Sequence, residues 1–227
     1  MNKQHLESNF IYNQLDNLRH KYALTTTQID KLNRYLMLLI EWNKKFNLTA
    51  ITDPAAIITY HFDDSLTLAQ YIDFNTVQST ADIGTGAGFP GIPLKILFPH
   101  LQTVLIEVNN KKRTFLTHIA QELELDNITI YPFDWRTFLR TNEHTIDYFF
   151  ARASLQPEEL VRVFKPASAY NSGTLVYWAS KQWIPEKIEA PFINKEILYT
   201  LDTVQRKLVF FKQKTSLTSN STQGAPW

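Results

Sequence analysis

Four of the six glycines in the chain fall within eight residues, in the run Asp82-Ile83-Gly84-Thr85-Gly86-Ala87-Gly88-Phe89-Pro90-Gly91. Glycine lets a backbone turn sharply at the end of a strand and pass close to a ligand with no Cβ between them. A helix that follows such a turn aims its unpaired N–H groups and its positive dipole end back at the crevice. Pro90 and Pro93 suit the first turn of that helix, where a missing N–H costs little. Two cofactor chemistries compete for the loop. Gly86 to Gly91 matches the dinucleotide spacing G-x-G-x-x-G, which alone is a weak signal. Asp82, two places before the first glycine, argues for the other: a carboxylate there attracts the amino and sulfonium cations of S-adenosylmethionine and repels a pyrophosphate. The reading favours S-adenosylmethionine, with a nicotinamide dinucleotide as the alternative. Ordering four glycines in a turn that binds nothing would cost chain entropy without compensation.

Glu107 follows the apolar run Thr103-Val104-Leu105-Ile106 and lies 23 residues beyond Gly84. In a βαβ unit that register puts a carboxylate at the end of the neighbouring strand, where it can accept both ribose hydroxyls of an adenosine. This fits either cofactor. Arg152 ends a later strand and faces the same crevice, as a positioning contact to cofactor or substrate or, alternatively, as an ion pair that holds the site together. Lys111, Lys112 and Arg113 stand at the crevice edge, where they could meet phosphates or simply solvate a helix start. Lys44-Lys45 and Arg206-Lys207 read as solvated faces.

These residues need strands to end beside one another. From Thr80 onward, short apolar runs (Thr80 to Ile83, Thr103 to Ile106, Ile128 to Tyr131, Tyr148 to Ala151, Thr174 to Trp178 and Arg206 to Phe211) alternate with helical stretches such as Gly91 to Phe98 and Lys112 to Leu125. Alternation of this kind predicts an α/β, Rossmann-like fold with a mostly parallel twisted sheet. Before it, residues 1–74 read as an N-terminal helical element with no strand signal. It holds an amphipathic helix to Phe46 capped at Thr26 or Thr27, a second helix opening at Asp53-Pro54, and a third from His61 to Ile72. The Rossmann-like domain spans 75–212. Residues 213–227, rich in Ser, Thr, Asn and Gln, read as a disordered tail.

Composition narrows the chemistry. The chain has 227 residues, no cysteine and six scattered histidines, which excludes thiolate metal sites and a cysteine nucleophile and gives no metal spacing. His61 with Asp64-Ser65 lacks a G-x-S-x-G elbow, so these residues are expected to pack the helical element against the crevice near the substrate entrance. The polar first 24 residues and the lack of an 18-residue apolar run argue against a signal peptide and a membrane span, and a cytoplasmic location is expected. With a net charge of only +1, any nucleic-acid contact must come from a local patch.

Several segments together carry a more specific resemblance. Trp42-Asn43, Asn47-Leu48-Thr49-Ala50-Ile51, His61, Asp64-Ser65-Leu66, Asp82 to Leu94, Lys112-Arg113-x-Phe115-Leu116, Ala151-Arg152-Ala153 and Arg206-x-Leu208-Val209 fall in the order and spacing of one bacterial family. The chain resembles the ribosomal RNA small-subunit methyltransferase G family from about Leu32 to Lys212. The resemblance implies an S-adenosylmethionine-dependent methyltransferase fold preceded by helices. It implies methylation at N7 of one guanine in the 530-loop region of 16S rRNA, with the small ribosomal subunit as partner and neither metal nor membrane involved; the chain is expected to act as a monomer. Gly84, Phe89, Trp135, Arg136 and Arg152 fall on family cofactor positions, and Gly86, Gly88 and Glu107 complete the pocket from the reading of the residues above. There are departures. The family's Arg, small residue and Glu become Asp134-Trp135-Arg136, so Arg136 replaces an acid beside the adenine and Trp135 is expected to compensate by stacking on it. An Ala-Leu-Lys-Gly pattern becomes Trp178-Ala179-Ser180-Lys181, with Lys181 as the displaced lysine. They motivate a second alternative, a ribosome-assembly factor that binds RNA without methylating it.

Overall fold

The computed structural model describes residues 3–141, 145–166 and 168–214. The expected disordered tail therefore lies, beyond Lys214, outside the described residues. Two long helices open the chain, α1 (Lys3–Tyr22) and α2 (Thr26–Phe46). The cap of α2 is Thr25, one residue before the expected position. Its Oγ1 accepts from the Gln28 N–H at 3.3 Å while Gln28 Oε1 accepts from the Thr25 N–H at 2.9 Å, a reciprocal capping box. The Gln28 amide nitrogen also donates to the carbonyls of Ile96 and Leu97, each at 2.9 Å, which fastens this helix to the end of a helix in the sheet domain. Asp53 caps α3 (Pro54–Ile57) through the Ala56 N–H. That helix runs directly into a π-helical turn (Ile58–Asp63), the short α4 (Asp64–Leu66) and a 3-10 turn (Thr67–Gln70). The third expected helix is thus present but irregular, and it carries His61 on its π-turn; such widened turns concentrate at functional sites.

The remaining elements are β1 (Ser79–Ile83), α5 (Gly91–Leu97), β2 (Gln102–Ile106), α6 (Asn110–Glu122), β3 (Ile128–Tyr131), α7 (Trp135–Thr141), β4 (Tyr148–Arg152), α8 (Pro157–Leu160), β5 (Thr174–Ser180), β6 (Ile193–Leu201) and β7 (Val204–Phe211). The seven strands form one sheet in the order β3-β2-β1-β4-β5-β7-β6. The first five are mutually parallel; β7 runs antiparallel to β5, and β6 antiparallel to β7. The expected mostly parallel α/β sheet is present. β6 carries no expectation from the sequence because it is an edge strand: Asn194, Lys195, Glu196, Leu198 and Thr200 are exposed, so the strand shows little apolar pattern.

Successive residues of a strand face opposite sides of the sheet. Phe149 accordingly joins one core, with Trp135, Phe138 and Leu160 from α7 and α8, while Phe150 joins the opposite one with Leu68, Phe74 and Leu208. A third core buries Leu32, Tyr35 and Leu39 of α2 with Phe62, Ile92 of α5 and Phe115 of α6. The N-terminal helices therefore form part of the wall behind the glycine loop.

Candidate functional site

Strand order and register decide where the site lies. The chain proceeds outward from β1 to β3 and then returns to β4 on the other side of β1, so a crevice opens between the carboxyl ends of β1 and β4. Ile83 of β1 is level with Ile106 of β2 and with Ala151 of β4. The next residue on each strand or its exit is Gly84, Glu107 and Arg152. Three sequence-identified residues thus emerge side by side from three adjacent strands.

The loop after β1 is a backbone structure. Gly84, Gly86 and Gly88 all have positive φ (64°, 65° and 104°), a conformation that penalises any residue with a Cβ. Their surroundings differ. A Cβ on Gly84 would lie 2.6 Å from Ser154 Cβ, and one on Gly88 would lie 2.5 Å from Ile92 and 2.8 Å from the Tyr35 hydroxyl; these two glycines allow close packing. A Cβ on Gly86 would meet nothing nearer than 4.0 Å, so it would project into the open crevice. Gly86 alone of the three leaves open space beside its Cα.

Glu107 stands where the sequence places it. It is 6% exposed, with Oε2 accepting from the Gly86 N–H at 3.0 Å and Oε1 from the Asn109 N–H at 2.8 Å. Each carboxylate oxygen retains a second lone pair, so the group is held in orientation and can still accept hydroxyl donors. Val108 and Phe133, just beyond β2 and β3, are 60% and 58% exposed. They leave two exposed apolar side chains at the carboxyl ends of these strands, which sequence reasoning missed; the available signal was an apolar residue placed after its strand had already ended.

Asp82 is fully buried on the far side of the loop. Its Oδ2 accepts from Thr85 Oγ1 at 2.6 Å and from the Gly91 N–H at 2.8 Å, at the start of α5. Oδ1 has no hydrogen-bond partner among the described residues. Burial pushes the carboxyl up to about 6, against the lowering effects of Thr85, Gly91 and Arg152. A carboxylate with one oxygen unpartnered beside this loop matches a cationic ligand and not a pyrophosphate. The donor set therefore fits S-adenosylmethionine: an open glycine surface, a fixed carboxylate with lone pairs to spare, and a buried acid behind the turn.

The side chains of Phe89, Trp135 and Arg136 are all engaged within the protein. The Phe89 ring lies in a stack with His61 (4.5 Å between centroids) and Tyr35 (5.3 Å), so its side chain supports the loop from behind. The indole of Trp135 is buried against Phe138 and Phe149, and its Nε1–H donates to the Glu159 carbonyl at 3.4 Å. Its apolar bulk is satisfied in the core beneath α7, which corrects the expectation that it stacks on an adenine. Arg136 makes a bidentate pair with Glu159 (Nε–Oε1 2.6 Å, Nη2–Oε2 3.0 Å), so the charge that replaces the family's acid is paired with an acid from α8, which Arg162 shares at 2.7 Å.

Arg152 takes the ion-pair arrangement. Its Nη1 donates to Asp64 Oδ2 at 3.0 Å and to the Tyr60 carbonyl at 3.2 Å, and its guanidinium lies 5.3 Å from the Phe89 ring centre. Asp64 is completely buried and also accepts from Arg206 Nη1 at 2.9 Å and the Tyr199 hydroxyl at 2.6 Å, while its carbonyl accepts from Trp178 Nε1. One residue on a helical turn thus fastens four strands, β4, β6 and β7 through its carboxylate and β5 through its backbone carbonyl. His61 Nδ1 lies 3.2 Å from Arg152 Nη2. Arginine can only donate, so Nδ1 accepts and the ring proton sits on Nε2, which donates to Thr49 Oγ1 at 2.8 Å. Burial, reinforced by Arg152, drives the His61 pKa down to about 3. The ring is neutral near pH 7 and packs the helical element against the crevice, as the sequence suggests. Asn43 completes the chain of contacts by bonding both the N–H and the carbonyl of Thr49.

Beside Arg152, beyond the ends of β5 and β7, a cleft of about 840 Å³ is lined by Ala153, Tyr177, Lys181, Gln182, Gln205 and Arg206 among others. Among the described residues no group of three or more His, Cys, Asp or Glu side chains could hold a metal ion, and no helix is long and apolar enough to cross a membrane.

Comparison with known proteins agrees with this geometry. Residues 28–213 match the family model described as rRNA small subunit methyltransferase G. A protein of Brevibacillus brevis named ribosomal RNA small subunit methyltransferase G is 39% identical over 194 residues, covering 84% of this chain and 79% of that protein. One of the same name from a Geobacillus species is 41% identical over 156 residues, 68% of this chain and 65% of that protein. Among solved structures, a variant of MtNAS in complex with S-adenosylmethionine superposes with a TM-score of 0.55 at 14% identity, covering 87% of this chain and 80% of that one. TrmK of M. capricolum with S-adenosyl-homocysteine gives 0.52 at 15% identity, over 66% of this chain and 67% of its own. At such identities the structural likenesses establish the fold.

Proposed function

The chain belongs to the rRNA small subunit methyltransferase G family, and from that membership we propose that it methylates N7 of a guanine in the 530-loop region of 16S rRNA, as a monomer in the cytoplasm. It is an S-adenosylmethionine-dependent methyltransferase. The observation that carries the reading is Glu107, fixed by the Gly86 N–H beside a glycine whose Cβ direction is open. Family membership and the buried Asp82 both disfavour a nicotinamide oxidoreductase.

When bound, the cofactor supplies an electrophilic methyl group on a sulfonium. Glu107 would hold its ribose, Gly86 would admit it to the crevice, and Val108 and Phe133 would flank its base. Guanine N7 carries a free lone pair, so no residue has to remove a proton before attack. The protein's task is to align nucleophile, methyl and sulfur, and neutral His61 is a support in that task, not a base. Arg152, fixed by Asp64 between the glycine loop and the large cleft, is the positioning residue for the incoming nucleotide. The guanine gains positive charge during transfer, which favours an uncharged, carbonyl-rich lining at N7 over a second cation.

Incubating 30S subunits and protein-free 16S rRNA with labelled S-adenosylmethionine tests the reading. Label at one guanine is expected; a protein that binds RNA and S-adenosyl-homocysteine but transfers no label is the assembly factor raised above.

A further inference from the structure

The net charge of +1 conceals a one-sided distribution at the cleft beyond β5 and β7. Its thirteen lining residues include three cations, Arg152, Lys181 and Arg206, and no carboxylate. The acid nearest in sequence, Asp202 at the β6–β7 turn, accepts from the Tyr60 hydroxyl at 3.3 Å. Asp64 lies beneath, wholly buried, and its Oδ2 takes one N–H from each of the two arginines. Even with Asp202 counted beside Asp64, three positive charges exceed two negative ones and leave the cleft cationic, and the buried Trp178 in its wall reduces screening there.

Arg206 is the decisive group. Its side chain is 31% exposed, and only Nη1 has a partner among the described residues. Nε and Nη2 remain as a donor fork of the kind that matches phosphate oxygens. Lys181 follows β5, is exposed and has no polar partner among the described residues. The neighbouring Lys207 supplies the contrast. It points to the other face of β7, where it pairs with Glu196 at 3.1 Å and lies 5.8 Å from the Trp183 ring centre. The two adjacent cations of β7 therefore do different things, which the sequence could not separate when it read them as one solvated face.

We propose that this cleft is the phosphate-binding half of the acceptor site: Lys181 and Arg206 contact the phosphodiester backbone beside the target nucleotide, and Arg152 marks the passage from there to the cofactor crevice. A volume of about 840 Å³ is ample for a nucleotide. Arg152 lines this cleft and leaves β4 level with Gly84 leaving β1, so the two halves adjoin. The proposal rests on the methyltransferase reading for the identity of the nucleic acid, but its chemistry requires only a phosphodiester.

The test measures binding of protein-free 16S rRNA, with methyl transfer to it and to 30S subunits, for Lys181→Gln, Arg206→Gln, Arg206→Lys and the control Lys207→Gln. Lys181→Gln and Arg206→Gln should each weaken RNA binding about three- to tenfold and lower the slope of log affinity against log salt by about 1, the signature of one phosphate contact. KM for RNA should rise with kcat little changed. Arg206→Lys should recover part of the loss, Lys207→Gln should behave as the unaltered protein, and S-adenosyl-homocysteine affinity should be constant throughout. Affinities and slopes equal to the unaltered protein for Lys181→Gln and for a folded Arg206→Gln would overturn the proposal, as would an equal loss for Lys207→Gln. Should the unaltered protein transfer no methyl group, the enzymatic reading fails while the salt slopes still decide the cleft.

Discussion

The two halves of the crevice are built by different means. On the β1–β2 side, the proposed binding surface comes from backbone and from residues close in sequence: three glycines within five positions, and Glu107 bonded to Gly86. On the β4–β7 side it comes from side chains brought together over long distances. Asp64 reaches Arg152, Tyr199 and Arg206, which lie 88, 135 and 142 residues away. A backbone cradle tolerates little variation, because positive φ and close approach forbid a Cβ. A side-chain network can be retuned one residue at a time, but each member depends on the others remaining paired. A constant donor suits the first kind of construction, and an acceptor specific to one enzyme suits the second.

The largest expected effect breaks the second half. Asp64→Ala leaves two guanidiniums over a buried position with no counter-charge, and losses of this kind run to about 3–5 kcal/mol. The measurement is denaturant unfolding, and a loss below about 1 kcal/mol would show that the network is incidental. Gly86→Trp should break the first half instead. Its side chain would project into the open crevice, so S-adenosyl-homocysteine affinity measured by calorimetry should fall at least about 100-fold. The positive φ adds a stability cost of about 1–2 kcal/mol, which separates this change from global unfolding. An unaltered affinity would mean that the donor lies elsewhere. Tyr35→Phe sharpens the comparison, since it removes from outside the sheet the hydroxyl that donates to the Ala87 carbonyl. A stability loss of about 1 kcal/mol and a severalfold weaker donor affinity are expected, with the salt slope for RNA unaltered.

The same asymmetry explains what could be read from the sequence. Gly84 to Gly91 and Glu107 were legible because their spacing is their geometry: strand, turn, helix and next strand follow in order. Six strands showed themselves as apolar runs, whereas edge strand β6, with exposed charges, did not. The joining of Asp64 to Tyr199 and Arg206 was illegible because the pairs span 135 and 142 residues; a family motif singled out Arg206, but nothing local named its partner. Trp135 misled for a related reason. An aromatic residue at a binding position and one filling a core look alike until the helix is placed, and α7 turns this indole inward onto Phe138.

The smallest expected effect concerns the one acid that the sequence assigned to the cofactor by charge alone. Asp82 has its pKa raised to about 6 by burial, so the folded protein holds this proton more tightly than the unfolded chain. Its contribution to stability is therefore greatest at low pH and declines as the pH rises from the ordinary carboxylate range through about 6. Donor binding should change in the opposite sense. Above about pH 6 the group is ionised, and its attraction for the donor's amino and sulfonium cations across a low-dielectric wall corresponds to a several-fold gain in affinity. Calorimetry between pH 5 and 8 should show S-adenosylmethionine binding tighten through that window, with a weaker trend for S-adenosyl-homocysteine, which lacks the sulfonium charge. Asp82→Asn keeps an acceptor for Thr85 and Gly91 but cannot ionise, and should flatten both curves. His61, neutral throughout the window, contributes nothing to the slope. A pH dependence that persists in Asp82→Asn would assign the effect to another group and leave Asp82 as only the cap of α5.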